Sequence, residues 1–370
     1  MAGQGLGVEW TVDKKLYTSV RKLDHLRICA EEGIERGFSG FSDIRLVHSA
    51  LPECDLSRID LSTRFLGHRI CSPLFIAAMT GGHPGTTEVN CRLARAAERY
   101  GLGMCVGSQR AALEDPRLEE SFRVVREEAP HAFISANLGV VQLRDHGPEW
   151  AEKAVSMIDA DAIAVHLNFL QEAIQPEGDH DATGCYEALA ALCRESNVPV
   201  MVKETGSGMS AETARACWGA GVRAIDIGGW GGTSWAAVEA VRAEQSTAQA
   251  GSGLVSLGAL FEDWGIPTAV SLSEVAGTGG PIIATGGIRS GLDMARALAL
   301  GADLCGIALP LLRPAMESEE SLFSRIETFH RELRTAMFLT GSAKVADQKR
   351  ARAYITGKTR QMLEHIHGGK

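Results

Sequence analysis

The sequence predicts an α/β protein folded as one (β/α)8 barrel, with an N-terminal helical extension and C-terminal helices. Two observations carry this prediction: eight short apolar runs alternate with helical runs, and nearly every apolar run ends in a polar or glycine-rich corner. Parallel strands need a crossover between neighbours, which a helix supplies. Eight such units is the number that closes this barrel, and its chemistry belongs at the C-terminal ends of the strands.

Residues 1–17 hold several glycines and no clear period, and are expected to form a mobile arm. From Thr18 the spacing turns helical, with Leu23, Leu26 and Ile28 near one face and Arg21, Lys22 and His25 about a turn apart on another. Residues 37–72 read as an irregular or short-stranded lead-in. Strands are predicted at Leu74–Met79, Gly103–Val106, Ala132–Asn137, Asp161–His166, Val198–Lys203, Arg223–Ile227, Ile282–Thr285 and Leu304–Leu309. Helices are predicted at Glu88–Tyr100, Leu118–Ala129, Glu149–Ile158, Tyr186–Ser196, Ala211–Ala220, Leu292–Leu300 and Leu322–Leu339. The segment Trp230–Gly280 breaks the alternation; its Gly/Ser/Thr/Ala-rich middle, Ser246–Gly258, predicts a mobile loop at the barrel mouth. The barrel itself should occupy residues 73–312, between an extension over 1–72 and a helical segment over 313–370.

A chain of 370 residues with 45% hydrophobic and 22% charged residues can bury a large core as one domain. Its formal net charge of −9 argues against nucleic-acid or anionic-membrane partners, so an anionic ligand must be held by local groups. No apolar run approaches the ~20 residues that span a bilayer, and a cytoplasmic protein is expected. The 9 cysteines show no C-x-x-C or metal-finger spacing and read as reduced core thiols.

The run Pro281–Arg289, followed by Ser290, predicts a strand, a glycine turn and a capped helix whose N-terminal dipole, aided by Arg289, could bind a phosphate. Glycines required only by the turn are the alternative. Lys203 ends a purely apolar run, where a buried ammonium needs an anion or a ring beside it. A reduced flavin fits, because a lysine near its N1/O2 edge stabilises negative charge on the ring; a Schiff-base lysine is the chemical competitor. Thr80 and Asn137 offer hydrogen bonds to a ring edge. Gln171 and Glu172 are hard oxygen ligands suited to Mg²⁺ completed by substrate phosphate, or simply an ordinary helix start. His166 and Asn168 lie on one side of an extended segment. With Arg21, Lys22, Ser108, Gln109 and Arg110, they supply enough donors for a diphosphate.

Arg21-Lys22-x-Asp24-His25, Ala78-Met79-Thr80-Gly81-Gly82, Gly107-Ser108-Gln109-Arg110, Ala136-Asn137-Leu138-Gly139, His166-Leu167-Asn168-x-x-Gln171-Glu172, Lys203-Glu204, Gly231-Gly232-Thr233-Ser234-Trp235 and Thr285-Gly286-Gly287-Ile288-Arg289-Ser290 together resemble type 2 isopentenyl-diphosphate isomerase. The likeness runs from about Arg21 to Gly341, and the histidine-to-glutamate block is its distinctive part. It implies an enzyme of isoprenoid biosynthesis that interconverts isopentenyl and dimethylallyl diphosphates using reduced FMN and Mg²⁺, with NAD(P)H as reductant. FMN contacts implied are Ala78, Met79, Thr80, Ser108, Asn137, Lys203, Thr233, Gly286, Gly287, Arg289, Ala308 and Leu309, and Ser207 could also reach the phosphate. Implied substrate contacts are Arg21, Lys22, Ser108, Gln109, Arg110, His166, Asn168 and Gln171. Gln171 and His166 would serve catalysis and Glu172 would bind Mg²⁺. A homo-oligomer, tetramer or octamer, is expected.

The competing activities are an FMN-linked 2-hydroxy acid oxidase or dehydrogenase and a non-catalytic phosphate-binding barrel. The oxidase should carry a histidine base after strand six, yet Asp226–Trp235 contains no histidine.

Overall fold

The computed structural model describes residues 14–245 and 251–368. Eight parallel strands close into a barrel in chain order: β1 (Leu74–Ile76), β2 (Gly103–Cys105), β3 (Phe133–Gly139), β4 (Ala162–Leu167), β5 (Val200–Glu204), β6 (Ala224–Asp226), β7 (Ile282–Thr285) and β8 (Leu304–Ile307). Each strand pairs with the next, and β8 closes on β1 through Cys305↔Leu74 and Ile307↔Ile76. All eight fall within the predicted runs or within two residues of them.

The strands are apolar on both faces because both are covered. The outer faces pack on the helices. The inner faces of Phe75, Phe133, Ala162, Ala164, Met201, Ala224, Ile283 and Leu304 form a separate plug with Phe65 and Ile70. Those last two come from a lead-in hairpin, Thr63–Phe65 against His68–Ile70, which closes the N-terminal end of the barrel. The Phe65 ring meets Phe133 edge-on, 5.6 Å between centroids. Earlier in the lead-in, Ile44–Leu46 pairs antiparallel with Ala353–Ile355 and ties the lead-in to the C-terminal segment.

Two expectations change. The N-terminal helix starts at Lys14, so residues 14–17 are helical and not part of an arm; residues 1–13 lie outside the described part. The segment 230–280 is largely helical, with helices Trp235–Gln245, Gly251–Leu260 and Thr268–Val275 in place of a loop. Small residues serve close packing there: a Cβ at Gly258 would lie 2.7 Å from the Ala240 Cβ and 2.8 Å from the Ala236 carbonyl oxygen. Glycine thus lets the second helix rest against the first. Residues 246–250 of the expected loop lie outside the described part.

All nine cysteines are free, although Cys71 is exposed instead of in the core. No helix among the described residues is long and apolar enough to cross a membrane.

Candidate active site

A cavity with about 1500 Å³ of empty space, partly open to solvent, opens at the C-terminal ends of the strands. Its floor comes from strand ends and the turns after them: Ala78, Met79 and Thr80 after β1, Ser108 after β2, Asn137 in β3, Lys203 in β5, and Gly286, Gly287 and Arg289 after β7. The barrel interior changes character towards this floor. Inward positions carry Met201, Ala224 and Ile283 lower down, then Lys203, Asp226 and Thr285 two residues later, as the strand period requires.

The glycine turns after β6 and β7 pack backbone against backbone. A Cβ on Gly286 would sit 2.1 Å from the Gly229 carbonyl oxygen, and one on Gly287, at φ +67°, would sit 2.4 Å from that of Gly231. The fold therefore requires these glycines, and the same bareness leaves Gly232, Gly286 and Gly287 exposed to the cavity. The helix Gly291–Ala299 starts at Ser290, whose hydroxyl accepts the Asp293 N–H as predicted. Its N-terminus does not present the expected anion site. Glu332 accepts the Gly291 N–H at 2.7 Å and Asp293 the Arg289 N–H at 3.2 Å, so carboxylates of the protein already occupy that end. A phosphate would instead meet the preceding glycines and the Arg289 guanidinium, which is ion-paired with Glu35.

His166 sits at the boundary between floor and wall. Asn137 donates its amide N–H to the Val106 carbonyl at 2.9 Å, which turns its Oδ1 towards His166 Nδ1, also at 2.9 Å. The ring therefore donates from Nδ1 and keeps its Nε2 lone pair. Burial, then Lys203, Lys22 and Arg110, hold its pKa well below the usual histidine range, so it is neutral.

The opposite wall is cationic. Arg21 and Lys22, from helix Lys14–Glu31, line it together with Arg110. Burial, with Arg21 and Arg110 beside it, brings the Lys22 pKa down to about 7. Among the described residues Lys22 has no ion-pair partner, whereas Arg21 pairs with Glu177 at 3.1 Å and Arg110 with Glu114. An ammonium so placed favours an incoming anion.

Behind this wall Glu239, from helix Trp235–Gln245, is fully enclosed. It accepts from His25 Nε2 and from Gln171 Nε2, both at 2.9 Å, and from Arg242 Nε at 2.7 Å. Burial opposes its charge, but these donors win and hold its pKa down to about 2. Gln171 is thereby pinned, its amide nitrogen on Glu239 and its oxygen facing Asn168 at 3.3 Å. Glu172 is buried and accepts from Asn168, Gln175 and the Asp179 N–H at 2.7–2.8 Å.

The cavity thus brings together most of the predicted residues. Two stay out of its lining. Gln109 is fully buried behind the wall, donating to the Ala154 carbonyl and accepting the Asn137 N–H at 2.9 Å, so it shapes β3. Ser207 turns its N–H to the Glu204 carboxylate together with Gly206 and Gly208. Both are polar residues in glycine-containing turns, and sequence does not say which way such a residue turns. Sequence reasoning missed Glu239 and Arg242, since an acid and a base three apart look like any solvated helix face. It also missed Gln142 and Trp235 as lining residues; the Trp235 ring meets His25 edge-on, centroids 5.1 Å apart.

The site accepts the implied groups chemically. The Thr80 hydroxyl is buried and lacks a hydrogen-bond partner, beside bare glycine backbone and Lys203, a donor set that suits a flat ring with polar edges and a phosphate. For a divalent cation the wall offers the single carboxylate Glu172. No cluster of three or more His, Cys, Asp or Glu able to hold a metal exists among the described residues. That set suits Mg²⁺ only where a bound phosphate completes the shell.

Comparison with known proteins gives a consistent picture. The family model for FMN-dependent dehydrogenase matches residues 22–120 and 116–354. The isopentenyl-diphosphate delta-isomerase of Methanoregula boonei is 68% identical over 352 residues, covering 95% of this chain and 98% of that protein. Its counterpart from Archaeoglobus fulgidus is 50% identical, covering 94% of this chain and 99% of that one. Among solved structures, a mandelate oxidase mutant with a monooxide FMN adduct aligns with a TM-score of 0.61 at 18% identity, covering 89% of this chain and 95% of that one. A lactate oxidase of Pediococcus acidilactici reaches a TM-score of 0.63 at 17% identity, covering 91% and 87%. At that identity the likeness concerns the fold.

Proposed function

Because the chain belongs to the isopentenyl-diphosphate delta-isomerases, within the FMN-dependent dehydrogenase family, we propose that the cavity takes isopentenyl diphosphate against its cationic wall and FMN along its glycine-lined floor. The enzyme is an FMN-dependent isomerase, and the reaction converts isopentenyl to dimethylallyl diphosphate. A proton is added at the terminal methylene and another is lost from C2, so nothing is oxidised overall. The observation that carries the site assignment is the placing of Lys22, Arg21 and Arg110 opposite Lys203 and the glycine turns in one cavity.

An alkene is a weak base, and protonating it demands a strong acid in a site that excludes water. Reduced FMN, held on the floor, would supply that acid and an electron-rich face; NAD(P)H would be its reductant, as the family resemblance implies. The chain's own groups do the rest. Lys22, Arg21 and Arg110 hold the diphosphate with Asn168 beside them, and Glu172 binds Mg²⁺ that the phosphates complete. Gln171, pinned by Glu239, orients the reacting carbons. Neutral His166 keeps an acceptor nitrogen open to the cavity. Trp235, Leu26 and Leu312 line the same space and limit water.

The hydroxy-acid oxidases share the fold, and the segment after β6 lacks the histidine such an activity would use. The test is an anaerobic assay of isopentenyl diphosphate with reduced FMN and Mg²⁺. Dimethylallyl diphosphate should form, and Glu172→Gln should lose the Mg²⁺-dependent rate while retaining FMN. A wild-type rate that chelator leaves unchanged removes the metal assignment, and bleaching of the oxidised flavin by a 2-hydroxy acid would favour the oxidase.

A further inference from the structure

Lys203 and Asp226 are register partners on the adjacent parallel strands β5 and β6. Neighbours in register project to the same side, here the barrel interior, one step above the apolar plug residues Met201 and Ala224. Lys203 lines the cavity and donates to the Glu204 carbonyl at 3.1 Å. Asp226 stands beside it in register, only 3% exposed, and accepts the Gly228 N–H at 3.2 Å. Cys105 faces the same space: burial pushes its thiol up to about 12, while Lys203 and Asp226 act on it with opposite signs.

A carboxylate here is expensive, since desolvation raises its pKa while Lys203, the Thr285 hydroxyl and the Gly228 N–H oppose that rise. The turn at Gly228 does not require the charge, because an amide oxygen would accept the same N–H. Nor does the apolar plug below need it. What remains is an electrostatic role towards Lys203 and whatever rests on the floor above.

We propose that Asp226 is the counter-charge of Lys203 and lowers the reduction potential of FMN bound on this floor. The proposal rests on the FMN reading of the cavity. Lysine alone favours extra electron density on the ring, and it equally favours loss of the proton that an acid in this reaction must hold. A carboxylate beside the lysine restrains both effects through space. Asp226 is therefore a positioning residue of charge, acting through Lys203 and not on the substrate.

The experiment measures the affinities of wild type, Asp226→Asn and Lys203→Met for oxidised and for anaerobically reduced FMN, together with the potential of the bound flavin. Asp226→Asn should raise the preference for reduced over oxidised FMN about tenfold, which for a two-electron couple is ~30 mV more positive. Lys203→Met should shift it the opposite way. Should Asp226→Asn fold poorly, Asp226→Ser removes the same charge with a smaller group, and thermal melting confirms its fold. A purely structural Asp226 would weaken both affinities equally and leave their ratio alone, and that result overturns the proposal, as does a shift in the same direction as Lys203→Met. Wild type that binds no FMN would defeat the cofactor reading itself, and this proposal with it. Wild type that binds FMN beside an unmoved Asp226→Asn would defeat only the proposal.

Discussion

The two sides of the cavity are built on different principles. The floor is made of strand ends and short turns, and each of its polar groups is placed by the barrel's own register: Lys203 by β5, Asn137 by β3, the glycines by β7. The cationic wall is assembled from helix Lys14–Glu31, helix Arg110–Glu114, helix Phe169–Ile174 and helix Trp235–Gln245, which no strand ladder joins. It is held by a charge network running from Arg21 to Glu177, Arg242, Glu239 and Gln171. The floor takes its shape chiefly from the strand ladder, whereas the wall depends on these buried charges.

That contrast predicts the largest effect at Glu239. Glu239→Ala takes the shared acceptor from His25 and Gln171, while Arg242 keeps Glu177 at 2.8 Å, and should cost ~1–3 kcal/mol of stability for each buried donor left unpaired, with loss of activity as Gln171 comes free. The pH dependence has a definite sign. The folded pKa is depressed to about 2 from an ordinary 4.5, so the stabilisation is complete above about 4.5 and fades as pH falls towards about 2. Urea midpoints should therefore hold between pH 7 and 5 and fall by pH 3 for wild type, and fall less for Glu239→Gln. Equal slopes for the two proteins would mean the wall is held by packing.

A smaller effect is expected from single cations of the wall. Lys22→Ala should raise KM about 10- to 150-fold, as ~1.5–3 kcal/mol for a charge-assisted bond implies, and Arg21→Ala less, since Glu177 already engages it. FMN content should not change. The Lys22 ammonium is charged below about 7, so substrate binding should weaken as pH rises through that value in wild type and not in Lys22→Ala. Kinetics that match wild type in both variants would make the helix mere scaffold.

The smallest catalytic effect should come from Gln109, a substrate residue by sequence and a buried strut by structure. Gln109→Ala should cost ~1–3 kcal/mol of stability through the unpaired Asn137 N–H and Ala154 carbonyl, with KM within twofold of wild type. A large KM change with unaltered stability would return Gln109 to the substrate site.

The sequence by itself determined the barrel, because the eight strands need only a local signal: a short apolar run, a polar or glycine corner, and a helix to follow. It determined the floor residues for the same reason, since the end of a strand is readable and in this fold faces the mouth. Tertiary structure alone decided the wall. Glu239 and Arg242 are neighbours on one helix, and their meeting with His25, 214 residues away from Glu239 in sequence, depends on how the N-terminal helix docks. The helix end after Ser290 likewise looked open until Glu332, from a helix some forty residues on, closed it. Gly258 read as loop because the small neighbour it packs against, Ala240, lies in another helix. Short-range patterns record what one segment must do for itself; which charges neutralise one another, and which glycines make room for a partner, is set by segments that the pattern cannot see.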